Sequence, residues 1–191
     1  MELPPPDPTP AFRKVMIFID GGYLRKGFQA TLGSDRIKFT DLANLLISFV
    51  RRGHIEGELV SVFYYDAIVD ATENLNEHKI QNKYFEEIRK CDFYEVKLAR
   101  LKTSESGYKQ KGVDVQLAID MVTKAYQGQY DIAILVSGDD DLIDAVKAVK
   151  EAGKIVYGCY FEQNASKGLV NSFNARRVLT PKFLDSLVVK I

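Results

Sequence analysis

The chain has 191 residues, of which 46% are hydrophobic and 27% are charged, and its formal net charge at pH 7 is zero. This length and composition are those of a single globular domain with a substantial core, and the neutral balance excludes a uniformly basic surface for nucleic acids. No run approaches the roughly 18 apolar residues that a membrane-spanning helix needs, so we expect no membrane partner.

The opening segment, MELPPPDPTPAF, holds five of the six prolines of the chain. This composition predicts an extended, flexible leader at residues 1–12, followed by one folded domain at 13–191. The segment lacks the basic start and apolar centre of a signal peptide, so we expect a cytoplasmic protein.

The first half of the domain alternates apolar runs with amphipathic segments. Residues 14–19, KVMIFI, predict a buried strand that ends at Asp20 and two glycines. The patterns that follow predict helices at 23–32, 40–53 and 71–91 and strands at 58–69 and 93–101. The inward-facing positions predicted for the helix at 71–91 are Leu75, Ile80, Tyr84 and Ile88.

The second half of the chain continues the alternation. It predicts helices at 113–126, 140–153, 166–174 and 181–189, and strands at 131–136, 154–161 and 176–179, the last at a sheet edge. Because strands alternate with helices and are apolar throughout, the sequence predicts an α/β fold. Its central, mainly parallel sheet is covered by helices on both faces, in a three-layer α/β/α sandwich.

The chain has two cysteines, Cys91 and Cys159, and two histidines, His54 and His78. They form no cluster with zinc-site spacing, and the apolar surroundings of both cysteines predict buried thiols in a reducing compartment. Carboxylates are therefore the remaining candidates for chemistry.

Aspartates follow two of the predicted strands at their carboxyl ends. Asp20 comes directly after the first strand, and Asp139 follows the strand at 131–136 in the sequence SGDDD. Because parallel strands end at the same rim of a sheet, these side chains are expected to converge. Asp114 lies at the start of a helix that packs on the sheet, so its carboxylate can reach the same rim. Three unpaired carboxylates repel one another, so the pattern predicts a site for Mg²⁺ or Mn²⁺, which prefer oxygen ligands.

Each of these aspartates also has a purely structural interpretation. Asp139 can be a helix N-cap, Asp20 a turn former before two glycines, and Asp114 a first-turn charge that favours the helix dipole. The N-cap interpretation leaves the neighbouring Asp140 and Asp141 unexplained. The convergence of all three on one rim is what favours a site.

Other aspartates are predicted to lie outside the metal site. Asp140 and Asp144 are expected to face solvent. Asp120 lies about 240° around its helix from Asp114, so the two cannot reach one ion. Asp66, in the second predicted strand, is expected at the periphery of the site.

Three motifs follow one another along the chain: MIFIDGGYL, KGVDVQLAIDM and AILVSGDDDLIDAVKAVKEAGKIVYGCYF. Together they resemble the NYN-domain proteins of the LabA-like group, relatives of the PIN nucleases, over roughly residues 14–180. The resemblance implies a PIN-like fold. It also implies a catalytic and metal-binding set at Asp20, Asp114 and Asp139, with Asp141 as a less uniform fourth catalytic position.

Two further positions are assigned by the resemblance. Ser137 falls on the small hydroxyl position ahead of the family's Gly-Asp, which implies a substrate contact. The family often has Asn three residues after the first aspartate, where this chain has Tyr23. An asparagine there can hold the aspartate or a phosphate by hydrogen bonds. Tyr23 therefore departs from the family pattern, at a position that we expect at the periphery of the site.

For its active members, the family implies a metal-dependent endoribonuclease that hydrolyses RNA, single-stranded or structured, with an aspartate-held Mg²⁺ or Mn²⁺. Such an ion makes a water nucleophilic near neutral pH and neutralises charge on the attacked phosphate. A homodimer is compatible with the sequence.

Because an acidic site repels the RNA backbone, basic residues are needed beside it. Residues 97–111 carry five basic side chains against Glu105 alone. The predicted phosphate contacts in this segment are Lys102, Lys109 and Lys111, and Tyr108 is the predicted stacking surface for a base. The alternative is that the segment is a solvated connection without function.

Two other functions compete with a nuclease. A haloacid-dehalogenase-type phosphatase needs a second acid two residues after the nucleophile, where this chain has Gly22. A catalytically weak or inactive RNA-binding or regulatory module is favoured by Tyr23 and the neutral overall charge. The intact Asp20, Asp114 and Asp139 argue against that module.

Overall fold

The computed structural model describes residues 12–51, 56–104, 107–109 and 112–187, and at 102–104 and 107–109 it describes the backbone alone. The strands are β1 (Arg13–Asp20), β2 (Gly57–Val69), β3 (Tyr94–Ser104), β4 (Gly107–Lys109), β5 (Ile132–Val136), β6 (Ile155–Tyr160) and β7 (Ala175–Val178). The helices are α1 (Gly21–Leu32), α2 (Phe39–Arg51), α3 (Leu75–Arg89), α4 (Val113–Tyr126), α5 (Ile143–Glu151), α6 (Lys167–Ser172) and α7 (Pro181–Leu184). Short 3₁₀ turns lie at Asp140–Leu142, Glu162–Asn164 and Asp185–Leu187.

The strands form one sheet in the order β4-β3-β2-β1-β5-β6-β7. Every neighbouring pair is parallel except β3 and β4. From β1 the chain builds the sheet outwards through β2 and β3, and it later returns to the other side of β1 with β5. The strand order therefore reverses between β1 and β5, and such a reversal opens a crevice at the carboxyl ends of the two strands.

Alternation of side chains along the central strands divides the core into two. In β1, Ile17 and Ile19 face one side of the sheet, whereas Met16 and Phe18 face the other. Helices α1, α2, α3 and α7 cover the first side, and α4, α5 and α6 cover the second. Both faces are buried, so the strands are apolar throughout, and the predicted three-layer sandwich is confirmed.

The helix at 71–91 differs from its prediction. It begins later, at Leu75, and Leu75 and Ile80 are exposed at 52% and 66% of their surface. Phe85 and Ile88 are the residues that it buries. Only the C-terminal half of α3 packs on the sheet with its apolar face, so the inward positions predicted for the first half were wrong.

The described residues of the basic segment 97–111 form strands and not the predicted loop. Strand β3 continues to Ser104 and pairs antiparallel with β4, with Lys102 opposite Lys109. The side chains of Lys102, Tyr108 and Lys109, and all of Lys111, lie outside the described residues, so their predicted contacts with RNA stay predictions. Residues 1–11 of the predicted leader also lie outside the described residues, so its flexibility stays a prediction.

The two thiols differ in burial. Cys159 is fully buried in β6, which raises the pKa of its thiol to about 12. Cys91 is partly exposed after the C-terminus of α3, so the prediction of two buried cysteines was wrong for Cys91. No helix in the described residues is long and apolar enough to cross a membrane.

Candidate functional site

The first site residue, Asp20, ends β1 and caps α1. One carboxylate oxygen accepts a hydrogen bond from the backbone N–H of Tyr23 at 2.9 Å, and the other accepts one from the Ser137 hydroxyl at 3.4 Å. An aspartate is a favoured N-cap because it satisfies a free N–H of the first helical turn. Its side chain is almost fully buried in the crevice between β1 and β5. Because Asp20 stands at the end of β1, as predicted, its carboxylate both caps α1 and lies in the crevice.

Ser137 joins the two halves of the crevice. It is fully buried directly after β5, and its hydroxyl donates to Asp20 and accepts from the backbone N–H of Asp139 at 3.3 Å. The Asp139 carboxylate in turn accepts from the N–H of Asp141 at 3.0 Å. The hydroxyl is buried and bonded to both turns, so the geometry gives Ser137 a positioning role, and its predicted direct contact with substrate stays a prediction. Ser137 aligns the first and third aspartates.

The third carboxylate comes from α4, on the other face of the sheet. Asp114 lies in the first turn of this helix, after Gly112, which adopts φ 89° and turns the chain into the helix. Asp20, Asp114 and Asp139 share the lining of a cavity of about 310 Å³. The other lining residues are Gly22, Tyr23, Lys26, Gly138 and Asn164. The predicted convergence of three carboxylates on one rim is therefore present.

The carboxylates influence one another electrostatically. Burial raises the pKa of Asp20 to about 6, and the negative charges of Asp114 and Asp66 add to the increase. Burial also raises the pKa of Asp114, and here Asp139 and Asp141 contribute. Proximity of like charges disfavours ionisation. As the side chains stand, no group of three or more Asp, Glu, His or Cys within the described residues is arranged to hold a metal ion.

The remaining aspartates have other partners. Asp66 lies within β2, three residues before its end, and is 2% exposed. It forms an ion pair with Arg25 at 2.9 Å and so has a structural partner that the site carboxylates lack. Asp120 accepts a hydrogen bond from the Tyr65 hydroxyl at 2.9 Å, which agrees with its exclusion from the metal site.

Asp140 has a partner that the sequence does not reveal. It is exposed, as predicted, but its carboxylate accepts a hydrogen bond from the hydroxyl of Ser166, 26 residues further along the chain. Asp141 is also exposed and does not line the cavity, although its charge acts on Asp114. The three consecutive aspartates therefore do three different things. The predicted exposure of Asp140 is present, and its hydrogen bond to Ser166 is an addition that the sequence did not indicate.

Tyr23 closes one wall of the cavity. Its hydroxyl accepts a hydrogen bond from the Phe161 N–H at 2.8 Å and lies 3.4 Å from the Phe161 carbonyl oxygen, to which it donates. The two rings also pack with their centroids 5.6 Å apart. The tyrosine is thus occupied with the segment after β6, and its side chain makes no hydrogen bond to Asp20.

Two cavity residues, Lys26 and Asn164, are absent from the sequence-based prediction. Lys26 lies one helical turn after Gly22 on α1, and this i, i+4 spacing is the signal that could have placed it beside the Asp20 crevice. Asn164 comes from the turn after β6, and only the fold of the whole chain brings it to the cavity.

The comparisons with known proteins identify the family of the chain. The model of the NYN domain matches residues 14–178. The chain belongs to the NYN domain family. NYN domains have a PIN-like α/β fold and are generally nucleases. In this NYN domain the three carboxylates lie at the crevice beyond the carboxyl ends of the central strands β1 and β5. No curated protein matches the chain.

Solved structures add support for the fold. A protein of unknown function from Vibrio parahaemolyticus RIMD 2210633 is similar to this chain with a TM-score of 0.66 and 20% identity, over 90% of this chain and 96% of that one. This likeness supports the fold alone. A putative UDP-N-acetylglucosamine 2-epimerase from Listeria monocytogenes gives a TM-score of 0.39 at 11% identity, over 92% of this chain and 42% of that one, and carries no argument.

The raised pKa of Asp20 predicts a pH-dependent stability. The folded state holds this proton more tightly than the unfolded state, so in chelator the free energy of unfolding should fall as pH rises from about 4 to about 6. The difference between pKa 3.8 and about 6 corresponds to roughly 3 kcal/mol. Asp20→Asn keeps the helix cap without the charge, so above pH 6 it should be more stable than the wild type by an amount of this order.

Urea unfolding at several pH values measures this difference. The two proteins should be equally stable near pH 4 and diverge above it. Equal stability at pH 4 and pH 7.5 would show that the Asp20 charge is not destabilising in the fold.

Proposed function

We propose that this NYN domain is a LabA-like, metal-dependent endoribonuclease that hydrolyses phosphodiester bonds of RNA at the cavity between β1 and β5. The observation that carries the proposal is the shared lining of one cavity by Asp20, Asp114, Asp139 and a single lysine, Lys26. The aspartates lack basic partners among the described residues, unlike Asp66 with its arginine. An uncompensated acidic cluster at a sheet crevice is the arrangement that a divalent cation stabilises.

The chemistry of the donor set fits Mg²⁺ or Mn²⁺. Asp20, Asp114 and Asp139 would hold the ion through carboxylate oxygens, the ligands that hard cations prefer. When bound, such an ion activates water and neutralises charge on the phosphate. Asp139 is exposed and Asp114 is half-buried, so an ion can reach both carboxylates from solvent without unpacking the core.

The residues of the chain divide the remaining work. Asp114 is half-buried at the cavity and its pKa is raised by burial and by Asp139 and Asp141, so it can accept a proton from the attacking water. Ser137 and the Asp141 N–H hold the Asp20 and Asp139 carboxylates in place. Fixed orientation of these groups lowers the cost of reaching the transition state.

Lys26 is the phosphate contact in this proposal. It is exposed on α1, and in the part of the chain that the structure describes it forms no ion pair. It also lines a neighbouring groove of about 530 Å³ with Gly22, Arg25, Gln29, Ala30 and Asp35. Arg25 is committed to Asp66, so Lys26 is the cation left to hold the RNA backbone where the groove meets the carboxylates.

A regulatory RNA-binding module without catalysis is the second candidate. The observation that favours it is Tyr23, whose hydroxyl is tied to Phe161 and makes no polar contact with the carboxylates. The phosphatase alternative has less support, because Gly22 lines the cavity at the position where that chemistry needs an acid. We propose the cytoplasm as the compartment, since both cysteines are free thiols.

Removing a ligand carboxylate should abolish both metal binding and cleavage. Asp139→Asn is expected to weaken Mn²⁺ binding, measured by calorimetry, by about tenfold or more and to eliminate cleavage of a single-stranded RNA oligonucleotide. Asp144→Asn is the matched control, because it removes an exposed charge that is paired with Lys147 and lies outside the cavity. Binding of Mn²⁺ without cleavage by the wild type would favour the regulatory module, and equal Mn²⁺ affinities in the two variants would contradict the metal site.

Lys26→Ala should reduce the salt dependence of RNA binding. In an Asp139→Asn background, which prevents cleavage, the slope of log K against log salt should fall by roughly 0.7, the contribution of one phosphate contact on a single strand. Lys147→Ala provides the control, since this exposed lysine lines no part of the cavity. If both variants keep the slope of the Asp139→Asn parent, Lys26 does not contact phosphate.

A further inference from the structure

The segment between β6 and α6, residues 161–166, is fixed to the site at both of its ends. At its start, the Phe161 backbone exchanges two hydrogen bonds with the Tyr23 hydroxyl. At its end, the Ser166 N–H donates to the Gly138 carbonyl oxygen at 2.9 Å. The Ser166 hydroxyl also donates to the Asp140 carboxylate, and we name this hydrogen bond the latch.

Close packing of the segment on the SGDDD turn adds to these bonds. A Cβ atom at Gly138 would overlap the backbone carbonyl oxygen of Asn164 and would lie 2.6 Å from the Tyr23 ring. Only glycine therefore permits the segment to lie against the turn that carries Asp139. The segment is placed as a wall of the carboxylate cavity.

What the wall presents to the cavity is Asn164. This residue is exposed, lines the same cavity as the three aspartates, and its side chain makes no hydrogen bond to any described residue. An amide side chain offers two N–H donors and one acceptor without charge. Such a group suits a phosphate oxygen or a base edge, and it adds no repulsion beside the carboxylates.

We propose that segment 161–166 is a fixed wall of the RNA-binding site, in which Asn164 contacts the RNA strand and the Asp140–Ser166 latch positions it. The proposal deepens the ribonuclease function and rests on it. It gives Asp140 a role that neither helix capping nor metal binding explains.

The latch and the cap of α6 use different parts of Ser166. Its hydroxyl oxygen accepts from the N–H groups of Gly168 and Leu169, at 3.0 and 3.3 Å, while its proton goes to Asp140. Replacing Asp140 therefore opens the latch and leaves the cap of α6 intact. Asn at position 140 retains a carbonyl oxygen that can accept the same proton, whereas Ala cannot.

Asn164→Ala tests the contact with RNA. Binding of a single-stranded RNA oligonucleotide in the Asp139→Asn background should weaken about tenfold, as expected for a hydrogen bond to a charged group. The salt slope should stay unchanged, in contrast to Lys26→Ala, because a neutral side chain releases no counterion. Gln163→Ala is the control, since Gln163 is an exposed neighbour that does not line the carboxylate cavity. Equal affinities for Asn164→Ala and Gln163→Ala would overturn the contact.

Asp140→Ala tests the latch in the active enzyme. KM should rise several-fold with little change in kcat, and Asp140→Asn should restore the wild-type KM despite having lost the same charge. Asp144→Ala controls for charge loss on the neighbouring helix turn. If Asp140→Asn and Asp140→Ala are equally impaired, the charge and not the hydrogen bond matters, and the latch is refuted. Wild-type KM in both variants refutes it as well.

Amide hydrogen exchange separates the latch from the proposed activity. The Ser166 N–H should exchange faster in Asp140→Ala than in the wild type and in Asp140→Asn. This readout needs no RNA. A wild type that neither binds nor cleaves RNA would therefore refute the ribonuclease, whereas unchanged exchange in Asp140→Ala would refute the latch alone.

Discussion

The hydroxyl of Ser137 connects the two carboxylate-bearing turns at the ends of β1 and β5. It donates to Asp20 at the end of β1 and accepts from the N–H of Asp139 beyond β5. These strands are neighbours at the point where the strand order reverses, so the hydrogen bonds cross the crevice of the sheet. The rest of the site is arranged around this bridge, because it ties the buried Asp20 carboxylate to the turn that carries Asp139.

The bridge also explains the surroundings of the crevice. A buried Asp20 needs donors, and it has them from Ser137 and from the first turn of α1. The same turn carries Tyr23, which fixes the segment after β6, and the opposite end of that segment is held by Asp140. Carboxylate alignment and the placement of the outer wall are thus parts of one connected hydrogen-bonded arrangement.

The sequence contains enough information for the fold and for the three carboxylates. Asp20 and Asp139 could be placed because apolar runs mark the strand ends and parallel strands end at one rim, and Asp114 because its helix packs on the same sheet. The Asp140–Ser166 bond could not be predicted, since it joins residues whose proximity depends on how β6 and α6 return to the site. The exposure of Ile80 was missed for a related reason, because helical periodicity does not reveal how much of α3 the sheet covers.

The central claim is that the carboxylate cavity is a cation site, and thermal unfolding of the wild type and Asp20→Asn at pH 7.5 tests it most directly. In chelator, the variant should melt at the higher temperature, because it lacks a buried charge that costs stability. With millimolar Mn²⁺ the melting temperature of the wild type should rise, because a ligand that binds only the folded state stabilises it. The melting temperature of the variant should change little. The order of the two melting temperatures should then reverse or the gap should narrow sharply. A gap that Mn²⁺ leaves unchanged would contradict the account.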